Sequence, residues 1–224
     1  MFVKVCGTTS EEDALLAVAM GADAVGFIFA AGSKRQVSPA LVRDIVKRLP
    51  PETLTFGVFR DEVPERVVEI VRSTGLRAAQ LHGHETPEQT RAVREQLPIV
   101  FKVFSAGDPA VRKARDHGAD AVMVDNKGGG SGQVFDWSLA EDVPGGVKLV
   151  LAGGLGPDNV ADAIRTVHPW GVDACTRLEA SPGRKDARKV RAFVAAAREA
   201  SPDVEVDELA ELGDRPYDWM EHGG

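Results

Sequence analysis

The chain has little cysteine: two residues in 224, Cys6 and Cys175. That excludes a disulfide framework, and both thiols are expected to be reduced, in a cytoplasmic protein. An excess of positive charge is also missing. The 27 Lys and Arg are outnumbered by 34 Asp and Glu, giving a net charge of −7. General nucleic-acid surfaces carry basic stripes instead, so no nucleic-acid partner is expected. No apolar run approaches the roughly 20 residues that span a bilayer, so no membrane partner is expected either. A signal peptide is not expected, because strand-like residues start at once and Lys4 interrupts the first apolar run. A doubly wound nucleotide-binding sheet should show Gly-x-Gly-x-x-Gly after its first strand. Here that turn reads Cys6-Gly7-Thr8-Thr9-Ser10, which does not fit.

What the chain does have is a large apolar fraction, 43%, and a repeated strand-then-helix beat. Strands are expected over 2–6, 23–29, 54–59, 77–81, 99–104, 120–125, 147–151 and 170–173. A helix is expected over Glu11–Met20, capped by Ser10. Ser38 and Pro39 suit the N-cap and first turn of the next. Pro64, Pro87, Pro109 and Pro157 each sit where a helix would open, and Gly21, Gly75 and Gly118 where one would close. After Asp125 the beat weakens to a Gly-rich loop and a short helix near Trp137–Ala140. Eight such units in about 200 residues favour a closed (β/α)8 TIM barrel over an open sheet. Residues 1–200 are expected to form this single domain. Residues 201–224 are expected to be an extension, largely solvated, with Tyr217, Trp219 and Met220 able to anchor it.

In such a barrel the residues that stop the strands line the active face. Cys6 closes the first strand and Asp125 the sixth. A thiol and a carboxylate placed there can act as base and acid on one small substrate. A strand cysteine is more often an inert small hydrophobe. Cys6 is followed by Gly and polar residues at the expected active face, which favours function. The Gly153-Gly154 pair after strand 7 suits phosphate binding through backbone amides.

These residues carry a family resemblance. Val3-Lys4-Val5-Cys6-Gly7-Thr8-Thr9, Gly21-Ala22-Asp23-Ala24-Val25-Gly26-Phe27-Ile28-Phe29 and Ser33-Lys34-Arg35 stand in order. So do Gln80-Leu81-His82-Gly83, Val124-Asp125 with Gly129-Gly130-Ser131-Gly132, Phe135-Asp136-Trp137, Leu151-Ala152-Gly153-Gly154-Leu155 and Glu179-Ala180-Ser181-Pro182-Gly183-Arg184. Over about residues 2–198 the chain resembles phosphoribosylanthranilate isomerase of tryptophan biosynthesis. The resemblance implies a (β/α)8 barrel acting on a small phosphorylated substrate by an acid–base Amadori rearrangement, without metal or organic cofactor, as a monomer or homodimer. It implies that Cys6 is the base, Asp125 the acid, and Arg35 the partner of the anthranilate carboxylate. His82 is expected to line the pocket, in a packing, hydrogen-bonding or catalytic role. Asp173, ending the last strand, is expected to touch sugar hydroxyls or orient its neighbours.

One segment departs from the family pattern. Where the family reads Val-Asp-x-Ser-Ser-Gly-Val-Glu, this chain has Val172-Asp173-Ala174-Cys175-Thr176-Arg177-Leu178-Glu179. Cys175, Thr176 and Arg177 therefore join Gly153 and Gly154 as the expected phosphate site. Arg177 either adds a charged contact to the phosphate or crowds the amides. The departure leaves open a modified anthranilate or related aminoaldose phosphate as substrate, or a non-catalytic barrel that binds a phosphate ligand.

Overall fold

A computed structural model describes residues 1–126, 134, 136–140 and 142–201. The Gly-rich run 129–132, Phe135 and the extension with Tyr217, Trp219 and Met220 lie outside the described residues. Eight parallel strands close into a barrel in sequence order. They are β1 Phe2–Val5, β2 Ala24–Ile28, β3 Leu54–Phe59, β4 Ala78–Leu81, β5 Ile99–Ser105, β6 Ala121–Asp125, β7 Leu149–Leu151 and β8 Gly171–Ala174. The ring closes where β8 pairs with β1, with Lys4 opposite Asp173 and Val5 opposite Ala174.

Local chemistry sets most of the crossovers. Helix α1 (Glu11–Ala19) starts where the Ser10 hydroxyl accepts the Asp13 N–H. In α2 (Pro39–Val46) Ser38 plays the same part for Leu41. Helix α3 (Pro64–Thr74) closes on Gly75 at φ 76°, a left-handed position that suits glycine. Helix α4 (Pro87–Arg94) opens with a reciprocal capping box between Thr86 and Gln89.

Three elements differ from expectation. Pro109–His117 forms 3₁₀ turns, because Lys113 leaves helical backbone angles and interrupts the ladder. Pro157 does not open a helix. Helix α5 (Val160–Val167) starts three residues later, after Asn159, whose amide instead holds the preceding loop through Gly156 N–H and the Gly154 carbonyl. Strand β8 runs one residue past Asp173, to Ala174. A short 3₁₀ turn (Thr176–Leu178) then leads into an antiparallel hairpin, β9 (Glu179–Ser181) with β10 (Arg184–Lys185), before α6 (Ala187–Glu199).

Side chains alternate across each strand. Phe2, Ala24, Phe56, Ala78, Phe101, Ala121, Met123 and Val150 fill the barrel interior. Val3, Val5, Val25, Phe27 and Val172 face the helices. Aromatic rings plug the end where the strands begin. Phe2 stacks on Trp170 at 4.8 Å, and Phe101 meets Phe2 edge-on at 6.0 Å. A Cβ on Gly171 would come within 2.8 Å of the Phe2 ring. Among the described residues no helix is long and apolar enough to cross a membrane.

Candidate active site

The strand period decides which groups reach the barrel interior. On β1, Val3 and Val5 pack outward and Phe2 inward, so Lys4 and Cys6 share the inner face. The same alternation turns Gln80 and His82 inward on β4, Asp125 on β6, and Asp173 on β8. All the expected catalytic groups therefore belong to the inner face at the C-terminal ends of the strands.

Cys6 is buried at the end of β1, and its N–H bonds the Ala174 carbonyl at 2.9 Å. Directly below it lies Lys4, fully buried, with Nζ 2.8 Å from Asp173 Oδ1. Room for both comes from Gly26 on β2. A Cβ there would stand 2.8 Å from Cys6 Sγ and 3.1 Å from Lys4 Nζ. A second buried cation, Lys185 on β10, donates to the Cys6 carbonyl at 2.6 Å and to the Cys175 carbonyl at 3.3 Å. Burial raises the Cys6 thiol above its ordinary value of 9.0, the Lys4 charge opposes that rise, and Asp173 reinforces it. Burial likewise pushes the Cys175 thiol up to about 12. Both cysteines are free thiols.

Asp125 stands across the barrel. One oxygen, Oδ1, accepts the Asn126 N–H at 2.7 Å, and Oδ2 lies 3.3 Å from His82 Nε2. Gly153, at φ 84°, makes this possible, since a Cβ would fall 2.8 Å from Asp125 Oδ1. Behind His82, Gln80 Nε2 lies 3.4 Å from Nδ1. The loop that follows His82 is fixed from outside the barrel. Lys102 on β5 is buried and bonds the Gly83 carbonyl at 2.8 Å and Glu85 at 2.7 Å.

Arg35 does not extend freely over the mouth. It is buried in a two-pronged bond to Glu179, Nε to Oε1 at 2.6 Å and Nη2 to Oε2 at 2.7 Å. Nη2 also reaches Thr176 Oγ1 at 3.3 Å. The Glu179 hydrogen bonds raise the guanidinium further above its already high range. On Glu179, burial alone would raise the carboxyl, but Arg35 and Lys185 outweigh it and hold it below its ordinary 4.5.

Arg177 lies between the loops after β7 and β8. Its Nη2 bonds both Asp158 oxygens, at 2.6 and 2.8 Å, and Nη1 bonds the Gly154 carbonyl at 3.1 Å. Gly153 and Gly154 are both left-handed, at φ 84° and 71°. Arg177 is thus brought to Gly154, and Thr176 and Cys175 to Arg35 and Lys185. Four side chains went unassigned from sequence: Lys4, Gln80, Glu179 and Lys185. For Lys4 and Gln80 the signal was present, because each stands two residues before an expected site residue on the same face. Among the described residues no group of three or more His, Cys, Asp or Glu could hold a metal ion.

Fold and mouth together define a class: a (β/α)8-barrel enzyme whose ionisable groups gather where its strands end. Comparison with known proteins narrows this. The family model described as N-(5'-phosphoribosyl)anthranilate (PRA) isomerase matches residues 3–196. An N-(5'-phosphoribosyl)anthranilate isomerase of Desulforudis audaxviator is 45% identical over 205 residues, covering 88% of this chain and 98% of that one. The crystal structure of phosphoribosyl anthranilate isomerase from Thermus thermophilus superposes with a TM-score of 0.84 at 39% identity, covering 89% of this chain and 99% of that one. A phosphoribosyl anthranilate isomerase in complex with reduced 1-(o-carboxyphenylamino)-1-deoxyribulose 5-phosphate superposes at 0.79 with 37% identity, covering the same shares. The chain belongs to the N-(5'-phosphoribosyl)anthranilate isomerase family.

Proposed function

We propose that the protein converts N-(5'-phosphoribosyl)anthranilate to 1-(2-carboxyphenylamino)-1-deoxyribulose 5-phosphate in tryptophan biosynthesis. The observation that carries this reading is the inward placement of Cys6 and Asp125 at the same end of a closed barrel, in a chain of this family. Asp125, as the acid, gives a proton to the ring oxygen. The furanose opens and an iminium forms at C1. The Cys6 thiolate then takes the C2 proton, leaving an enolamine that tautomerises to the ketone. Acid and base act on different parts of the sugar, which suits their origin on β6 and β1.

Arg35 is assigned to the anthranilate carboxylate. Glu179 occupies Nε and Nη2, so the Nη1 edge is the one assigned to the ligand. His82 and Asp173 line the pocket, the first beside the acid and the second beneath the base. The phosphate is assigned to Gly153, Gly154, Cys175, Thr176 and Arg177, where the two left-handed glycines let backbone approach an anion. The bonds from Arg177 to Asp158 and Gly154 make it a strut between the loops, and no observation favours a different substrate. Residues 1–200 are assigned to the barrel and 201–224 to an extension, since the family match stops at 196 and α6 at Glu199. A cytoplasmic setting suits two free thiols.

The test is growth of a tryptophan auxotroph lacking this isomerase, with the chain supplied on a plasmid and Cys6→Ser as control. Rescue by the wild type and not by the variant is expected. Absence of rescue by well-expressed wild type, or equal rescue by both, overturns the reading.

A further inference from the structure

Cys6 has a problem that its own position creates. As a base it must be a thiolate, yet burial disfavours the charged form. The groups around it come from three elements. From β1 comes Lys4, from β8 and the turn after it Asp173 and Cys175, and from β10 Lys185. Arg35 and Glu179 stand one layer further out, joined to each other. Lys185 is taken up by the Cys6 carbonyl at 2.6 Å and by Glu179 Oε1 at 3.5 Å, with Cys175 Sγ no nearer than 4.0 Å. Lys4 differs. It shares the inner face of β1 with the thiol, and the gap left by Gly26 is where Nζ and Sγ converge.

We propose that Lys4 is a positioning residue for the base: its buried ammonium, held by Asp173, is the counter-ion of the Cys6 thiolate. This rests on the reading of Cys6 as the base. Burial opposes the Lys4 charge, but Asp173 and then Cys6 outweigh that, so Lys4 stays an ammonium through the reaction. It transfers no proton. When the thiolate takes the C2 proton, the negative charge that leaves sulfur cancels the positive charge of the iminium, giving a neutral enolamine, and the cation below retains Asp173 as its partner. Asp173 thus has two opposed effects. It anchors the ammonium at 2.8 Å and at the same time works against the thiolate.

The experiment compares wild type, Lys4→Met, Lys4→Gln and Lys4→Arg. Lys4→Gln keeps a donor for Asp173 without the charge, and serves where the methionine variant does not fold. The first readout is the rate of Cys6 alkylation by iodoacetamide against pH, with Cys6 separated from Cys175 by peptide mass spectrometry. It needs no turnover, so it stands even if Cys6→Ser proves fully active and the assignment of the base fails. In the neutral variants the alkylation profile is expected to move alkaline by at least about one pH unit, a tenfold loss of thiolate. The second readout is kcat/KM against pH, which should fall at least about tenfold near neutrality and recover as pH rises. Lys4→Arg should restore part of both. A folded neutral variant with an unshifted alkylation profile, or a loss of kcat/KM that is the same at every pH, overturns the proposal.

Discussion

His82 Nε2 lies 3.3 Å from Asp125 Oδ2, and Gln80 Nε2 stands 3.4 Å behind His82 at Nδ1. In this orientation the Gln80 amide N–H points at Nδ1 and leaves Nε2 as the ring nitrogen that faces Asp125. Asp125→Ala is expected to lower kcat by at least about 10²-fold, the scale of a positioned acid–base group. His82→Ala should cost about tenfold in kcat with little change in KM, and Gln80→Leu less than that, because each acts through Asp125. Steady-state kinetics on the purified variants decides the ranking. An Asp125→Ala enzyme within a few-fold of wild type removes Asp125 from the chemistry.

Glu179 links the barrel mouth to pH. Its carboxyl titrates below its ordinary 4.5 in the folded protein, so the unfolded chain binds that proton more readily. Its contribution to stability is therefore complete above about 4.5 and fades as pH falls through the folded-state value. Glu179→Gln leaves the Arg35 charge uncompensated and is expected to cost about 1–3 kcal/mol at neutral pH. Its melting temperature should fall less steeply below pH 4.5 than that of wild type. Parallel melting curves for the two proteins across the acid range contradict this.

Gly26 is expected to tolerate no side chain. Alanine there would put a methyl 2.8 Å from Cys6 Sγ and 3.1 Å from Lys4 Nζ, a contact that forces one of them to move. Since its backbone angle is ordinary for any residue, the fold should survive. Gly26→Ala is expected to lower kcat/KM by at least about tenfold, in line with the cost of displacing a positioned group, while circular dichroism stays unchanged. Wild-type kinetics in the variant shows that the space beside Cys6 is not used.

Arg177 offers a salt-dependent readout. Arg177→Gly removes the strut to Asp158 and Gly154 and one cation from the loops proposed to hold the phosphate. Titration with a reduced product analogue at two salt concentrations is expected to show weaker affinity and a shallower salt dependence, since a charged contact is gone. Asp158→Ala frees the guanidinium and should leave affinity equal to wild type or tighter. Identical affinities in wild type and Arg177→Gly mean that Arg177 holds no part of the phosphate site.

Much of the barrel was legible because its signals are local. Val-rich runs, Pro39, Pro64 and Pro87 at helix starts, and Gly75 and Gly118 at their ends all act within a few residues. Pro157 misled because the same local signal serves a turn equally well, and only Asn159 turning back to Gly154 and Gly156 separates the cases. The placement of Cys6 and Asp125 followed from strand ends alone. Their partners did not. Lys4 reads as an interruption because a lone charge in a strand normally faces water, and the carboxylate that lets it be buried is 169 residues away. Glu179 is 144 residues from Arg35, with nothing local to either to announce the other.

The hairpin β9–β10 gives the barrel a seam. Lys185 bonds the Cys6 carbonyl through its side chain and Asp13 through its backbone, and on α6 Arg198 bonds the Met1 and Gly21 carbonyls and Asp23. Strand β1 and its surroundings are thus completed by residues 179 to 197 positions further along the chain. At about 5–20 residues per second, roughly nine seconds or more separate the synthesis of Cys6 from that of Lys185, and until then β1 lacks β8 on one edge and Cys6 its surroundings. Cys6 emerges long before the groups that shelter it, and that interval is when its thiol is most exposed to thiol-reactive damage.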